Sequence, residues 1–430
     1  MHHEVGEPPM RPDRPRQHAS RAFRTDPHPG APKVLFIGHA NSSHTHAWID
    51  LLGDAPFNVR LFGLPTGVPP NDWPVRTYVT ASTPIPLDET TRSRLYAADR
   101  VRRYSKKGYA RFLLRGHSLE ARWLARIIRH WRPDIIHTLG IDPAGAFYHD
   151  VRRGFGLEAI GTWVLQLRGG ADVALTRFDP AEVSRLSAIV RDCDQLLADN
   201  DHTLAVAQEW GLRTDRISPL APVPGTGGVD IDALAAAART RPSSRRVIVW
   251  PKAYDCPWSK SLPVLEALTT CWDRLGSCEV HMLAMQPETR MWFNALPSHI
   301  KAACRVDERI PRRDLLRLMA SARVMLAPSL VDGLPNALFE GMAVGALPIV
   351  SPLDTITPHV TDGANGLLAR NLYPDDIAAA LVRGMHDDAL VERAADVNRG
   401  AVRRLADRAR IRPRVHEWYS HMASSTRARV

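Results

Sequence analysis

The first 32 residues show no apolar periodicity, and the texture changes at Lys33. From there, short runs of β-branched and aliphatic residues alternate with stretches in which apolar positions recur every three or four residues. The runs are Val34–Ile37, Val59–Phe62, Asp134–His137, Trp163–Leu167 and Gln195–Ala198, with amphipathic segments such as 92–130 and 181–191 between them. Short apolar runs predict strands, and the longer period predicts helices. A second series follows at Val247–Trp250, Val280–Leu283, Val324–Ala327 and Leu347–Val350. Strand–helix alternation predicts parallel sheets covered by helices on both faces. Between the two series, 221–246 holds Pro222, Pro224, Gly225, Gly227, Gly228 and Pro242, which marks a boundary.

The pattern therefore predicts an α/β protein of two doubly wound domains, 33–220 and 247–410. A linker at 221–246 joins them, and a closing segment follows at 411–430. Such pairs bind ligands in the cleft between them, at the carboxyl ends of the strands. Residues 1–32 carry seven prolines and read as a disordered arm, because they cannot bury enough apolar surface to offset ordering entropy.

Composition narrows the class. Hydrophobic residues make up 44% and charged residues 24% of the 430, an ordinary globular balance. No apolar run reaches the roughly 18 residues a membrane-crossing helix needs, and the N-terminus lacks the apolar core of a secretory signal. Five cysteines without a C-x-x-C pair exclude a disulfide framework and a cysteine zinc knuckle, and they point to a reducing cytoplasm. The net charge of +10 makes an anionic partner plausible. No recognised nucleic-acid module accompanies it, so nucleic acid is not an expected partner. The P-loop, dinucleotide and hydrolase-elbow glycine motifs are all absent.

The segment Val324–Val350 carries the most chemistry. A buried strand runs into the turn Asp332-Gly333-Leu334-Pro335-Asn336, and a helix is expected to start there with Pro335 in its first turn. Amides at a helix start can hold an anion. Asp332 precedes that start and Glu340 lies about one turn inside it. The two carboxylates could serve sugar hydroxyls, or could simply complement the helix dipole.

At this point the chain resembles the retaining glycosyltransferases of family 4, which have the GT-B fold. Asp332 and Glu340 stand eight apart, as in the E-x7-E signature of that family. Pro358–Ala369 resembles its strand ending in DG-x-NG-L-L, and Pro222–Asp230 resembles its PNGVD element. Arg168–Asp172 resembles its HGxD stretch, and Ser43–Trp48 resembles its acceptor-facing first loop. These matches run in order over about 34–390. Three positions depart: Asp332 stands where the family usually has Glu, Lys252 where it has Arg, and Arg168 where it often has His.

The resemblance implies two Rossmann-like domains facing across a cleft. It also implies a last helix crossing back to the first domain, and metal-independent transfer of a sugar from a nucleotide-diphospho-sugar with retention. Lys252 and Lys260 would neutralise the departing diphosphate together with the amides of Gly333, Leu334, Pro335 and Asn336 as a group, although Pro335 itself has no N–H. Glu340 would bind the ribose and Asp332 the donor sugar. No cofactor is called for. On the acceptor side the candidates are His44, His46, Arg168, Gly169 and Gly170. His39, His44 and His46 could instead be ordinary loop histidines, and their H-x-H spacing alone is too little for a metal site. The glycines permit close backbone approach or merely form a turn. Alternatives are an inactive nucleotide-sugar-binding module and a GT-B nucleotide-sugar epimerase.

Residues 92–132 hold 13 Lys or Arg against Asp99 and Glu120, interleaved with aromatic and aliphatic residues. Such a segment can lie on an anionic membrane at the inner leaflet, which would suit a lipid-linked or cell-envelope acceptor. The other reading is an apolar face packed on the sheet with solvated arginines opposite.

Overall fold

The computed structural model describes residues 22–80, 88–97, 118–168, 170–174, 176–307 and 310–429. The first sheet contains β1 (Lys33–Gly38), β2 (Asn58–Gly63), β3 (Arg76–Val79), β4 (Leu95–Ala97), β5 (Ile135–Leu139), β6 (Thr162–Gln166) and β7 (Gln195–Leu197). Its order is β4-β3-β2-β1-β5-β6-β7, every pair parallel. Val34 of β1 lies opposite Val59 of β2 on one side and Ile135 of β5 on the other. The chain builds outward from β1 to β4 and then returns to β5. The order therefore reverses between β1 and β5, and a crevice opens at their carboxyl ends.

The second sheet contains β8 (Val247–Trp250), β9 (Glu279–Leu283), β10 (Cys304–Asp307), β11 (Ala322–Ala327), β12 (Leu347–Val350) and β13 (Leu367–Leu368), ordered β10-β9-β8-β11-β12-β13. Here the reversal falls between β8 and β11. Every residue of β5 and of β12 is buried, because helices cover both faces of each sheet. That is why these strands read as continuous apolar runs rather than alternations. The two Rossmann-like sheets expected from the sequence are present.

Two readings need correction. Residues 92–130 do not form one helix: a short helix Glu89–Ser93 precedes β4, and the helix Leu119–Trp131 follows later. Tertiary pairing overrides local propensity here. Tyr96 of β4 packs its ring against Phe23, Tyr78 and Trp123, with centroids 5.5 to 5.9 Å apart. Residues 98–117 lie outside the described residues.

Residues 22–32, expected to belong to a disordered arm, are packed against the first sheet instead. Phe23 packs on Tyr78 with centroids 4.8 Å apart. Asp26 accepts hydrogen bonds from the buried Arg60 and from Trp131 Nε1, both at 2.9 Å. A buried guanidinium needs a partner, and this pairing ties 22–32 to the sheet. Residues 1–21 lie outside the described residues.

The chain passes between the two sheets at Gly227 and Gly228, both with positive φ. A Cβ on Gly227 would fall 2.3 Å from Leu51, and one on Gly228 would fall 2.3 Å from the Ala406 carbonyl. Only glycine fits this double constraint. The next residue, Val229, donates its N–H to Ala406 and accepts one from Arg408. Arg408 opens the last helix, Arg408–Ala428. That helix buries Ile411, Val415, Trp418, Tyr419 and Met422 against Val34, Phe36 and Ile135 of the first sheet and against Trp48 of the helix Ser43–Ile49.

Candidate active site

The two elements that diverge in the second sheet each deliver one charge to the crevice. Lys252 lies two residues beyond β8, and Asp332 lies in the loop after β11. They meet as an ion pair, Lys252 Nζ to Asp332 Oδ2 at 2.6 Å. Burial alone would depress the Lys252 ammonium; the Asp332 carboxylate outweighs it and holds the lysine above its usual value. The Asp332 carbonyl also accepts from Thr355 Oγ1 at 2.9 Å, which fixes the turn from below.

Lys260 reaches the same crevice from the loop after Lys252 but pairs with Asp255, at 3.0 Å. The other oxygen of Asp255 accepts from the Ser261 amide and hydroxyl. Although burial raises the Asp255 carboxyl, these bonds and the lysine bring it below the usual carboxylate range. Asn371 pins the loop by accepting from the Lys260 amide at 2.8 Å and donating to the Lys260 and Pro328 carbonyls.

The helix after the turn spans Asn336–Ala343, so Pro335 caps it from outside (φ −74°, ψ 138°) instead of sitting in its first turn. The amides of this start are partly engaged: Leu334 donates to Asp199 Oδ2 at 3.3 Å. Thr226 Oγ1 donates to Asn336 Oδ1 at 2.7 Å. Gly341 lets the helix settle on β11, where an added Cβ would meet Met325 at 3.3 Å. Glu340 is 3% exposed, while Asp332 remains part-exposed. The two carboxylates of the D-x7-E pair thus sit at different depths.

On the facing side, His39 follows β1 and its Nδ1 shares a hydrogen bond with Thr66 Oγ1 at 2.7 Å. Burial and the nearby Arg168 charge hold the His39 imidazole below its usual value. His46 Nε2 bonds the Ala40 carbonyl at 2.7 Å, and its ring packs on Trp73 at 4.3 Å. His44 is an exposed residue of the helix Ser43–Ile49. Among the described residues no three His, Cys, Asp or Glu side chains converge as a metal site.

Arg168 follows β6, and its amide donates to Asp172 Oδ2 at 2.9 Å. Burial pushes the Asp172 carboxyl up to about 6, against the pull of the Arg168 amide and charge. Gly170 opens the turn Gly170–Ala174, and Gly169 lies outside the described residues.

The structure adds four residues that the sequence reading passed over: Asp199, Thr226, Asp255 and Asn371. Asp199 directly follows Ala198, the last residue of a predicted strand, and the carboxyl end of a strand is the signal that could have found it. Thr226, Asp255 and Asn371 are single polar residues in loops, without a pattern to single them out.

Residues 258–387 match the family model of the group 1 glycosyl transferases, a span that includes Lys260, Asp332 and Glu340. Over that span the chain is similar to the group 1 glycosyl transferases, and its two sheets have the GT-B fold. Phosphatidyl-myo-inositol mannosyltransferase of Mycobacterium tuberculosis is 29% identical over 186 residues. That match covers 41% of this chain and 48% of the relative, so the chain spans about half the length of the curated relatives it matches. Among solved structures, HepE of Anabaena in complex with UDP-glucose aligns with a TM-score of 0.65 at 12% identity, covering 90% of this chain and 98% of that one. Sucrose-phosphate synthase of Thermosynechococcus elongatus aligns with a TM-score of 0.64 at 15% identity, covering 92% and 100%. At these identities the structural likeness speaks to the GT-B fold alone.

Proposed function

We propose that this chain is a retaining hexosyltransferase that moves a sugar from a nucleotide-diphospho-sugar to a cell-envelope acceptor, without a metal ion. The observation that carries the reading is the meeting of Lys252 and Asp332 at the reversal point of the second sheet, with Lys260 and the start of the helix Asn336–Ala343 beside them.

Glycosyl transfer needs cations and aligned dipoles where negative charge gathers on the leaving diphosphate. Lys252 and Lys260 are the cations, and the N–H groups around Gly333–Asn336 are the dipoles. Asp332 takes the sugar hydroxyls and Glu340 the ribose. The acceptor hydroxyl approaches the face from which the diphosphate leaves. As the new C–O bond forms, its proton passes to a departing phosphate oxygen, so no side-chain nucleophile is assigned. His44, His46, Arg168 and Gly170 are assigned to the acceptor side, together with Gly169, which lies outside the described residues. The solved neighbour with UDP-glucose supports a nucleotide-sugar donor, and the name of the mannosyltransferase relative supports a lipid-linked acceptor.

The site of action in this reading is the cytoplasm, at the inner face of the membrane. The helix Leu119–Trp131 buries its apolar face in the first domain, with Leu124, Ile127, Ile128 and Trp131 in the core. Any contact with anionic lipid through 92–132 therefore belongs to the exposed arginines, such as Arg126, Arg129 and Arg132, and to residues 98–117.

A thermal-shift panel of UDP-, GDP-, ADP- and dTDP-sugars tests the donor, because ligand binding to the folded state raises the melting temperature. The expected result is a shift with one base and slow donor hydrolysis without acceptor. A panel in which no nucleotide sugar moves the transition would overturn the reading; binding without hydrolysis or transfer would leave a binding module.

A further inference from the structure

The Arg168 amide is engaged by Asp172, but its side chain is incompletely used. Its Nε and Nη2 are buried, and neither has a hydrogen-bond partner among the described residues. These two nitrogens lie on one edge of the planar guanidinium, the edge that grips two oxygens of a carboxylate or phosphate side-on. Two buried arginines, Arg323 and Arg245, engage every side-chain nitrogen, and Arg60 leaves only its Nε without a partner among the described residues. Arg323 donates to the Gly384 carbonyl at 2.8 Å and to Asp388 at 2.7 Å. Arg245 donates to the carbonyls of Thr240, Ala322 and Val344. A buried charge with two idle donors on the same edge is costly unless something else fills that edge.

The position says where the filler comes from. The Arg168 stem runs beside Gly225, where an added Cβ would lie 3.6 Å from Cγ. The next residue, Thr226, bonds Asn336 at the start of the second-domain helix. Asp172 and Asp199 lie close enough to stabilise the Arg168 charge, yet neither bonds the free edge. Asp199 in turn receives the Leu334 amide. The guanidinium thus stands in the first-domain wall of the cleft, facing the helix start, whereas Lys252 and Lys260 belong to the other wall.

We propose that the Nε/Nη2 edge of Arg168 is a receptor for a second anionic group of the substrate, a carboxylate or phosphate distinct from the donor diphosphate. This rests on the reading of the cleft as a nucleotide-sugar site, and it makes the substrate class acidic. The group sits either on the transferred sugar, as in a uronic acid, or on the acceptor.

Calorimetric titration of the full chain with two donor pairs, UDP-glucose against UDP-glucuronate and GDP-mannose against GDP-mannuronate, reads the first source. Titration of the free protein with glucuronate and with glycerol 3-phosphate reads the second. If the anion is on the sugar, one acidic donor binds the wild type at least about tenfold more tightly than its neutral partner. That ratio falls to near one in Arg168→Gln. If it is on the acceptor, the donor pairs bind alike and a free anion loses at least about tenfold in Arg168→Gln.

Arg168→Lys keeps the charge without the fork and is expected to lose the same preference; full preference in that variant would overturn the proposal, as would equal behaviour of wild type and both variants toward every probe. Should Arg168→Gln not fold, the wild type and Arg168→Lys carry the comparison. Failure of all nucleotide sugars to bind would instead sink the donor reading, while the free-anion titrations still report on Arg168.

Discussion

Lys252 and Asp332 lie 80 residues apart in sequence and 2.6 Å apart in space, so the ends of β8 and β11 are tied by charge as well as by the sheet. An ion pair in the crevice is a natural place for a diphosphate to compete, since the phosphate oxygens can take over the ammonium. Lys260, with its side chain 40% exposed, has more room to move from Asp255 to a ligand. Lys260→Ala and Glu340→Ala are each expected to weaken nucleotide-sugar binding or turnover at least about tenfold, roughly 1.4 kcal/mol. Titration and initial rates on variants with unchanged circular dichroism would check this. Wild-type affinity and rate in both would remove the assignment, and Glu340→Gln separates lost packing from lost charge. These four residues were visible in the sequence because each stands in a run that continues along the chain. Asp199, Thr226, Asp255 and Asn371 were not, because what makes them part of the site is a partner brought close only by folding.

At the scale of elements, the last helix is fastened to the first sheet by a buried polar contact inside an apolar interface. The Tyr419 hydroxyl accepts from Trp48 Nε1 at 3.1 Å and shares a short hydrogen bond with His137 Nδ1. Tyr419→Phe keeps the ring and orphans two buried groups, so it is expected to cost about 1–3 kcal/mol in urea unfolding. A midpoint unchanged from wild type would show the contact to be idle. His137 is fully buried, and its burial, reinforced by the Arg168 charge, holds the imidazole well below its usual value. The folded state therefore binds fewer protons than the unfolded state below about pH 6.5. The stability contributed by neutral His137 is present above that pH and is lost as the pH falls toward the depressed folded value. The slope is up to about 1.4 kcal/mol per pH unit. Unfolding at pH 5, 6, 7 and 8 should show a weaker acid slope in His137→Gln; equal slopes would contradict this account. None of this was legible beforehand, because a lone histidine in an apolar strand looks the same whether or not a distant tyrosine meets it.

At the scale of the molecule, the repeated strand–helix pattern was enough to reach two parallel sheets, because strands covered on both faces announce themselves as apolar runs. The strands the pattern missed were β3, β4, β10 and the two-residue β13. Arg76, Arg305 and Asp307 break the apolar runs of β3 and β10, β4 and β13 are too short to show a pattern, and sheet pairing stabilises all four where composition does not. The basic segment bears on the molecule as a whole. Cosedimentation with anionic liposomes should be clear at low salt and fall as screening rises, and absence of binding at low ionic strength would favour a soluble acceptor. Closure is the remaining consequence of the architecture. In the proposed reading each wall of the cleft carries part of the site, and among the described residues the polar bonds between the walls include Thr226 to Asn336 and Leu334 to Asp199. A donor held by Lys252 and Lys260 on one wall and met by first-domain groups on the other gains contacts only when the walls approach. The glycine crossing at 227–228 is where the chain passes from one to the other. Small-angle scattering should therefore show a smaller radius of gyration at saturating nucleotide sugar than without it. Superimposable profiles under demonstrated saturation would mean that the cleft is already at its working width.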